Sequence, residues 1–460
     1  MIRSEKFVHD VNFYVASPSK NSDSVDITIR ELDIWSIHPQ LSISTSAMKA
    51  GLSDRNFLGS GHEFQNFYAR NFTTGINYFN TFYIIPNIRT TYINSKLHFG
   101  IDGYGNVRKS IGLDRPFYSP YAKWAAGIFI DSRVSRDSVE YEDPLHVPLN
   151  LKFNTQDFWA AKAFQIFKDH EDSDLVTNFI LASRYLRVRF RETPTDINDP
   201  LKIYANEDFF LGSIGISARK YVQDKFIFKY GLVEDVPVGK VYELTAGYQI
   251  RDNVRRPYLG FRASSGNYYD WGYLSFDFRY GTFFKSSHTE QGVVTAGLNY
   301  FTGLIEGGRW KFRQFIKPEI TIGINRFSYD TLTLNNDNGL DGFYSSTVSG
   351  TNRLLLTLQT QSYAPWDVLG FNFGPYFTCT LGMVGDAVEG FKNRKLYSLF
   401  GVGVLIKNEH LVINTFQISI SFYPMIPGRG NNILKFNSYR TGEFGFRDFE
   451  IGKPAPVRYR

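Results

Sequence analysis

The sequence predicts an all-β fold, a transmembrane antiparallel β-barrel, and three observations predict it. Apolar and polar residues alternate with a period of two in one stretch after another, as strand side chains do when one face meets lipid and the other a wet interior. No apolar run is long enough for a membrane helix, which needs about 20 residues. Aromatic residues make up 17% of the chain, with 42 Phe and 29 Tyr, a composition suited to a lipid-facing band with aromatic girdles. The mean hydropathy of −0.26 does not oppose this, because a barrel spends half of each strand on its polar interior.

In chain order, the first element is a hairpin. Val11, Phe13 and Val15 alternate in one strand and Val25, Ile27 and Ile29 in the next, around the polar turn Ala16–Ser24. A lone hairpin is marginal in water, so it is expected to be the closing piece of a small α/β domain. Residues Met1–Asp10 carry no apolar signal region. A barrel needs export, so the chain is expected to be a fragment whose signal peptide and earlier domains lie upstream.

From residue 39 the barrel pattern takes over. Leu274, Phe276, Phe278 and Tyr280 alternate with Tyr273, Ser275, Asp277 and Arg279; Leu354, Leu356 and Leu358 alternate with Leu355, Thr357 and Gln359. Phe400, Val402, Val404 and Ile406 alternate with Leu399, Gly401, Gly403 and Leu405. The cleanest stretch is Phe416–Tyr423, with Phe416, Ile418, Ile420 and Phe422 on one face and Gln417, Ser419, Ser421 and Tyr423 on the other. Turn signals such as Asp102-Gly103 and Gly307-Gly308 punctuate the strands. Longer polar connections are expected near 133–150, 167–174 and 193–207. Roughly 420 residues at about 25 per strand and connection suggest about 16 or 17 strands; direct segmentation suggests about 20.

The residues exclude several function classes. A single cysteine, Cys379, forbids an intrachain disulfide. The eight histidines show no metal spacing, and His62-Glu63 reads as a strand opening at the rim. No Gly-x-Ser-x-Gly elbow is present. Asn335–Gly339 resembles a calcium loop but lacks its acidic first ligand and closing Glu, so it reads as a polar turn. The net charge of +6 is spread along the chain, which argues against nucleic acid. Asp277 and Arg279 are expected to satisfy each other inside the lumen. No catalysis, cofactor or metal is expected.

Three stretches resemble one known family. Gly51–Gly61, with Asn56, Phe57, Gly59 and Gly61, resembles the early-barrel motif of BamA/TamA-type outer-membrane assembly factors, in which a strand, a turn and a new strand follow in order. Asp23–Ser36 looks like the closing strand of their last POTRA domain and its linker. Gly339-Leu340-Asp341-Gly342-Phe343, followed by Arg353-Leu-Leu-Leu356, resembles the family's inward-folded loop, after which five strands are expected. The style, including a terminal strand over Phe446–Pro454, looks like Bacteroidetes members.

The resemblance implies a partial POTRA domain and linker over 1–38 and an outer-membrane barrel over 39–460, of about 16 strands. It implies insertion, assembly or translocation of outer-membrane proteins by client binding and strand exchange at a barrel seam. Partners would be outer-membrane lipids, unfolded outer-membrane protein clients and accessory lipoproteins. Gly442 and Gly445 are expected to loosen the closing strand at the seam. The chain departs from the family where the loop arginine is Asp341 and the barrel-strand partner position falls on Thr380, near Gly382. Asp341 is therefore expected to be held by a lumenal base, Arg353 or Arg279. The rival reading is a passive, porin-like channel.

Overall fold

The structure is a computed structural model that describes residues 8–17, 24–33, 35–43, 47–72, 74–140, 146–167, 176–195, 199, 202–231, 233–408, 416–439 and 449–460. Strands β1 (Val8–Ala16) and β2 (Asp26–Asp33) pair with each other as a separate hairpin. The remaining strands are β3 (Ile37–Ile43), β4 (Ala47–Phe57), β5 (His62–Asn71), β6 (Asn77–Ile85), β7 (Asn94–Asp102), β8 (Val107–Arg115), β9 (Trp124–Glu140), β10 (His146–Phe167), β11 (Val176–Glu192) and β12 (Glu207–Lys225). They continue as β13 (Val233–Arg251), β14 (Val254–Tyr269), β15 (Gly272–Lys285), β16 (His288–Thr302), β17 (Ile305–Gly307), β18 (Trp310–Ile324), β19 (Leu332–Thr333) and β20 (Ser349–Gly350). The last are β21 (Asn352–Tyr363), β22 (Asp367–Val368), β23 (Phe371–Gly385), β24 (Tyr397–Asn408), β25 (Phe416–Ile426) and β26 (Gly430–Phe436).

The sheet from β3 to β26 closes on itself, with β26 beside β3, while β19 and β20 pair separately inside a loop. β17 and β22 prolong β16 and β21, since each pairs with the strand its predecessor pairs with. Twenty staves remain among the described residues. The direct segmentation therefore holds and the number implied by the resemblance does not. Several connections are tight, such as Arg251 to Val254 and Lys285 to His288, so a stave with its turn takes nearer 20 residues than 25.

The faces sort as the alternation requires. Phe276 and Phe278 point outward while Tyr273, Ser275 and Asp277 are buried inside. On β25, Phe416, Ile418 and Ile420 are exposed on the outside, and Ser419, Ser421 and Tyr423 are buried. The staves pair with their neighbours around the ring, which is what lets β-structure cross a membrane. Together these make the chain a transmembrane antiparallel β-barrel. The connection expected at 133–150 is mostly strand, because β9 and β10 pair in unbroken register from Trp124–Lys162 out to Glu140–His146. The β9 half, Arg133–Glu140, is mostly polar with no period of two, so sequence alone assigns it to a loop, whereas Val147, Leu149 and Leu151 of β10 do alternate and are the signal for strand.

Candidate functional site

Residues Gly51–Gly61 form the end of β4 and the β4–β5 turn. Asn56 accepts the Gly61 amide on its side chain and the Gly59 amide on its carbonyl, each at 2.8 Å. Gly59 and Gly61 have φ of 71° and 73°, where glycine is favoured. Phe57 packs on Phe64 with ring centroids 5.1 Å apart. His62 sits beside it and its Nδ1 lies 2.7 Å from the Tyr83 hydroxyl.

The segment between β18 and β21 folds into the lumen. Its apolar residues Leu334, Leu340, Phe343 and Val348 are buried against the inner faces of β21, β23, β24 and β25, through Leu355, Val384, Leu399 and Tyr423. Phe343 meets Tyr397 edge-on at 5.5 Å. The loop also braces itself. Asn335 exchanges two hydrogen bonds with the Ser345 backbone, at 2.9 and 3.1 Å. The Asn336 side chain accepts the Gly342 amide at 2.8 Å, and the Leu334 carbonyl accepts the Leu340 amide at 2.9 Å. The asparagine run is thus a set of turn braces.

Two contacts tie the loop to the last staves. Tyr423 Oη on β25 donates to the Asp341 carbonyl, and Lys435 Nζ on β26 donates to the Gly342 carbonyl at 2.5 Å. Gly342, at φ 70°, presses so close to Tyr423 that an added Cβ would stand 2.4 Å from the hydroxyl.

The expected holders of Asp341 are engaged elsewhere. Arg279 binds Asp277 at 2.8 Å, and Arg353 donates to the carbonyls of Thr333 and Arg460. A base's place around a closed ring depends on stave count and stagger, which spacing along the chain does not report. The partner position is also rebuilt. Thr380 Oγ1 lies 3.3 Å from Thr357 Oγ1. Gly382 lies directly under the loop, where a Cβ would come within 2.5 Å of Leu340 Cδ1 and 3.0 Å of Leu334 Cδ2. Leu340 of the loop thus seats over a glycine of the wall. Asp277 is satisfied as expected, by Arg279, by Arg262 at 3.4 Å and by the Ser264 hydroxyl at 2.5 Å.

The closure lies next to this loop. β3 and β26, seven residues each, are the shortest staves among the described residues. Their outward apolar side chains are unusually bare, with Leu41 70% and Phe436 75% exposed. Gly442 and Gly445 lie outside the described residues. The expected terminal strand is overturned for residues 449–454, which belong to no strand and run inside the barrel. After β26 the chain turns inward, and the Tyr439 carbonyl accepts from Gln417 at 2.6 Å and Ser419 at 3.1 Å on the lumenal face of β25. The alternation Phe449-Glu450-Ile451 imitates a stave. Pro454 and Pro456, which cannot donate to a ladder, were the signal against one.

Segment 449–460 is seated by specific contacts. Ser217 Oγ donates to the Phe449 carbonyl at 2.5 Å, and Arg219 binds the Glu450 carboxylate at 2.5 Å. Arg262 donates to the Glu450 carbonyl and Arg184 to the Pro454 carbonyl, each at 3.0 Å; Lys453 pairs with Asp157. The Val457 amide donates to Tyr258 Oη at 2.8 Å, and Tyr459 Oη donates to the Thr351 carbonyl at 2.7 Å beneath the Arg326 guanidinium. Burial pushes the Tyr459 phenol up to about 12, which keeps it a donor.

Fold and lumen together define a class: a transmembrane barrel whose interior is filled by an inward loop and a second, extended segment. No family model and no curated protein matches the sequence. Among solved structures, CdiB from Acinetobacter baumannii is similar at 10% identity and a TM-score of 0.45, over 93% of this chain and 64% of its own. CdiB from Escherichia coli is similar at 9% identity and a TM-score of 0.45, over 93% and 66%. BamA from Haemophilus ducreyi lacking POTRA domains 1–3 is similar at 13% identity and a TM-score of 0.36, over 94% and 74%. The chain thus spans just under two thirds of the first of these.

Proposed function

We propose that this chain is an outer-membrane factor that inserts, assembles or translocates outer-membrane proteins, working by client binding and strand exchange at its closure rather than by chemistry. One observation carries the reading: the Gly339–Phe343 loop is clamped to β25 and β26, beside a closure made of the two shortest staves. A short, sparsely covered edge offers backbone donors and acceptors to an incoming strand, and the loop is placed to hold or release that edge. Unfolded outer-membrane proteins would be the clients, with outer-membrane lipid and accessory lipoproteins as partners. Residues 1–38 would be the closing part of a periplasmic POTRA domain, a role supported by the exposed Phe13, Val15 and Ile27 on the hairpin, which ask for a covering layer.

Depletion of the protein in its own host tests this. Outer-membrane β-barrel proteins are expected to fall and to accumulate unfolded. Unchanged levels, together with stable large openings in planar bilayers, would replace the reading with the passive channel. The two occupants of the lumen predict small or no steady conductance instead.

A further inference from the structure

The contacts of segment 449–460 are more selective than a filler requires. Phe449 and Ile451 are fully buried. Each stands over a glycine of the wall: a Cβ on Gly266 would come within 2.5 Å of Phe449 Cζ, and one on Gly215 within 2.5 Å of Ile451 Cδ1. Further along, Gly281 makes room for Val457 and Gly323 for Tyr459, at 3.0 and 2.7 Å from the same construction. Between the two apolar seats, the buried Arg219 takes the Glu450 carboxylate while Ser217 and Arg262 take main-chain carbonyls on either side of it. Alternate side-chain pockets with main-chain hydrogen bonds between them are how proteins bind extended peptides. Lys453-Pro-Ala-Pro456 favours an extended conformation before docking, which lowers the ordering cost. On the β6–β10 side, a cavity of about 460 Å³ beside Lys453 stays open along the wall.

We propose that this inner-wall track is a peptide-binding site that reads an aromatic–acidic–aliphatic–Gly–basic sequence in extended form. Its resident is the chain's own 449–460, and an unfolded polypeptide carrying the same signature exchanges with it. The inference rests on the reading of the barrel as a client-handling factor, since such a factor meets extended chains in its lumen. It makes the resident a competitor that keeps the site closed to sequences lacking the signature. A tethered competitor acts at a local concentration of order millimolar, so an incoming peptide must match the pockets to displace it.

The test uses the full chain in nanodiscs and a fluorescent twelve-residue peptide of the 449–460 sequence. A variant carrying Phe449→Ala, Glu450→Gln and Ile451→Ala vacates the track without touching its wall. It is expected to bind the peptide saturably and at least tenfold more tightly than the unmodified chain. Adding Gly266→Val and Arg219→Gln to it should abolish binding, and a peptide with the glutamate changed to lysine should lose at least tenfold. Heat-modifiable gel migration reports that each barrel is folded. In the unmodified chain, excess peptide should accelerate hydrogen exchange at the Val457 amide. A folded, vacated barrel that ignores the peptide, equal binding of the lysine peptide, or unchanged exchange in the unmodified chain would overturn the proposal. Binding is read without any assembly activity. A strain that keeps its outer-membrane proteins would therefore sink the assembly reading while leaving this result standing.

Discussion

Gly382→Ala places a methyl group where the lumen has no room for one. The Cβ would stand 2.5 Å from Leu340 Cδ1, 3.0 Å from Leu334 Cδ2 and 3.1 Å from Leu355 Cδ2. Ordinary carbon contacts lie near 3.5–4.0 Å, so the loop must lift by about 1 Å or the leucines must leave their rotamers. Overpacking of this kind costs about 1–3 kcal/mol. Leu340→Ala alone leaves a cavity under a fully buried position and should cost about 2–5 kcal/mol. Combined, the two changes relieve each other, because the added methyl moves into space the leucine vacates. The double variant should therefore recover about 1–2 kcal/mol relative to the sum of the singles. Proteolytic cleavage rates within residues 325–351, measured on folded barrels in detergent, report the free energy of lifting the loop. Additivity to within about 0.5 kcal/mol would refute the direct seating of Leu340 on Gly382.

Three other outcomes are expected. Gly342→Ala combines a left-handed φ of 70° with a collision at Tyr423 Oη; it should loosen the loop by at least about 1–2 kcal/mol, and Tyr423→Phe alongside it should recover only part of that loss in the same cleavage assay. Lys435→Met removes the charged donor from the Gly342 carbonyl, worth about 1.5–3 kcal/mol; it should raise hydrogen exchange at both the loop and β26 while leaving β13 and β14 unchanged. Arg184→Met strips one of two cationic partners from Asp157, so thermal unfolding in detergent should fall, and Asp157→Asn in the same chain should restore part of it by removing the uncompensated charge.

The barrel was legible wherever one face met lipid and the other the lumen, and β25 shows this best, residue by residue. It was not legible in the end of β9, because Arg133–Glu140 is mostly polar and shows no period of two. Leu340 and Phe343 stand out as apolar residues between β18 and β21, and the structure buries both. Their seat is not legible: Gly382 leaves space for Leu340, and empty space has no sequence signature until the opposing side chain is known. The lumenal track failed to appear for the same reason. Gly215, Gly266, Gly281 and Gly323 sit on four different staves, and only the closure of the sheet aligns them under one segment.

Arg353 sets how force would travel through this molecule. One of its nitrogens grips the Thr333 carbonyl at the root of the loop, and another grips the Arg460 carbonyl of the lumenal segment. Arg326, at the loop's other root, covers Tyr459 of the same segment. The two occupants are therefore cross-linked through the wall. Tension on the lumenal segment reaches the loop through Arg353 and Arg326, and the loop passes it to β26 through the Lys435 clamp on Gly342. A pull on either occupant would thus be felt at the barrel's closing edge.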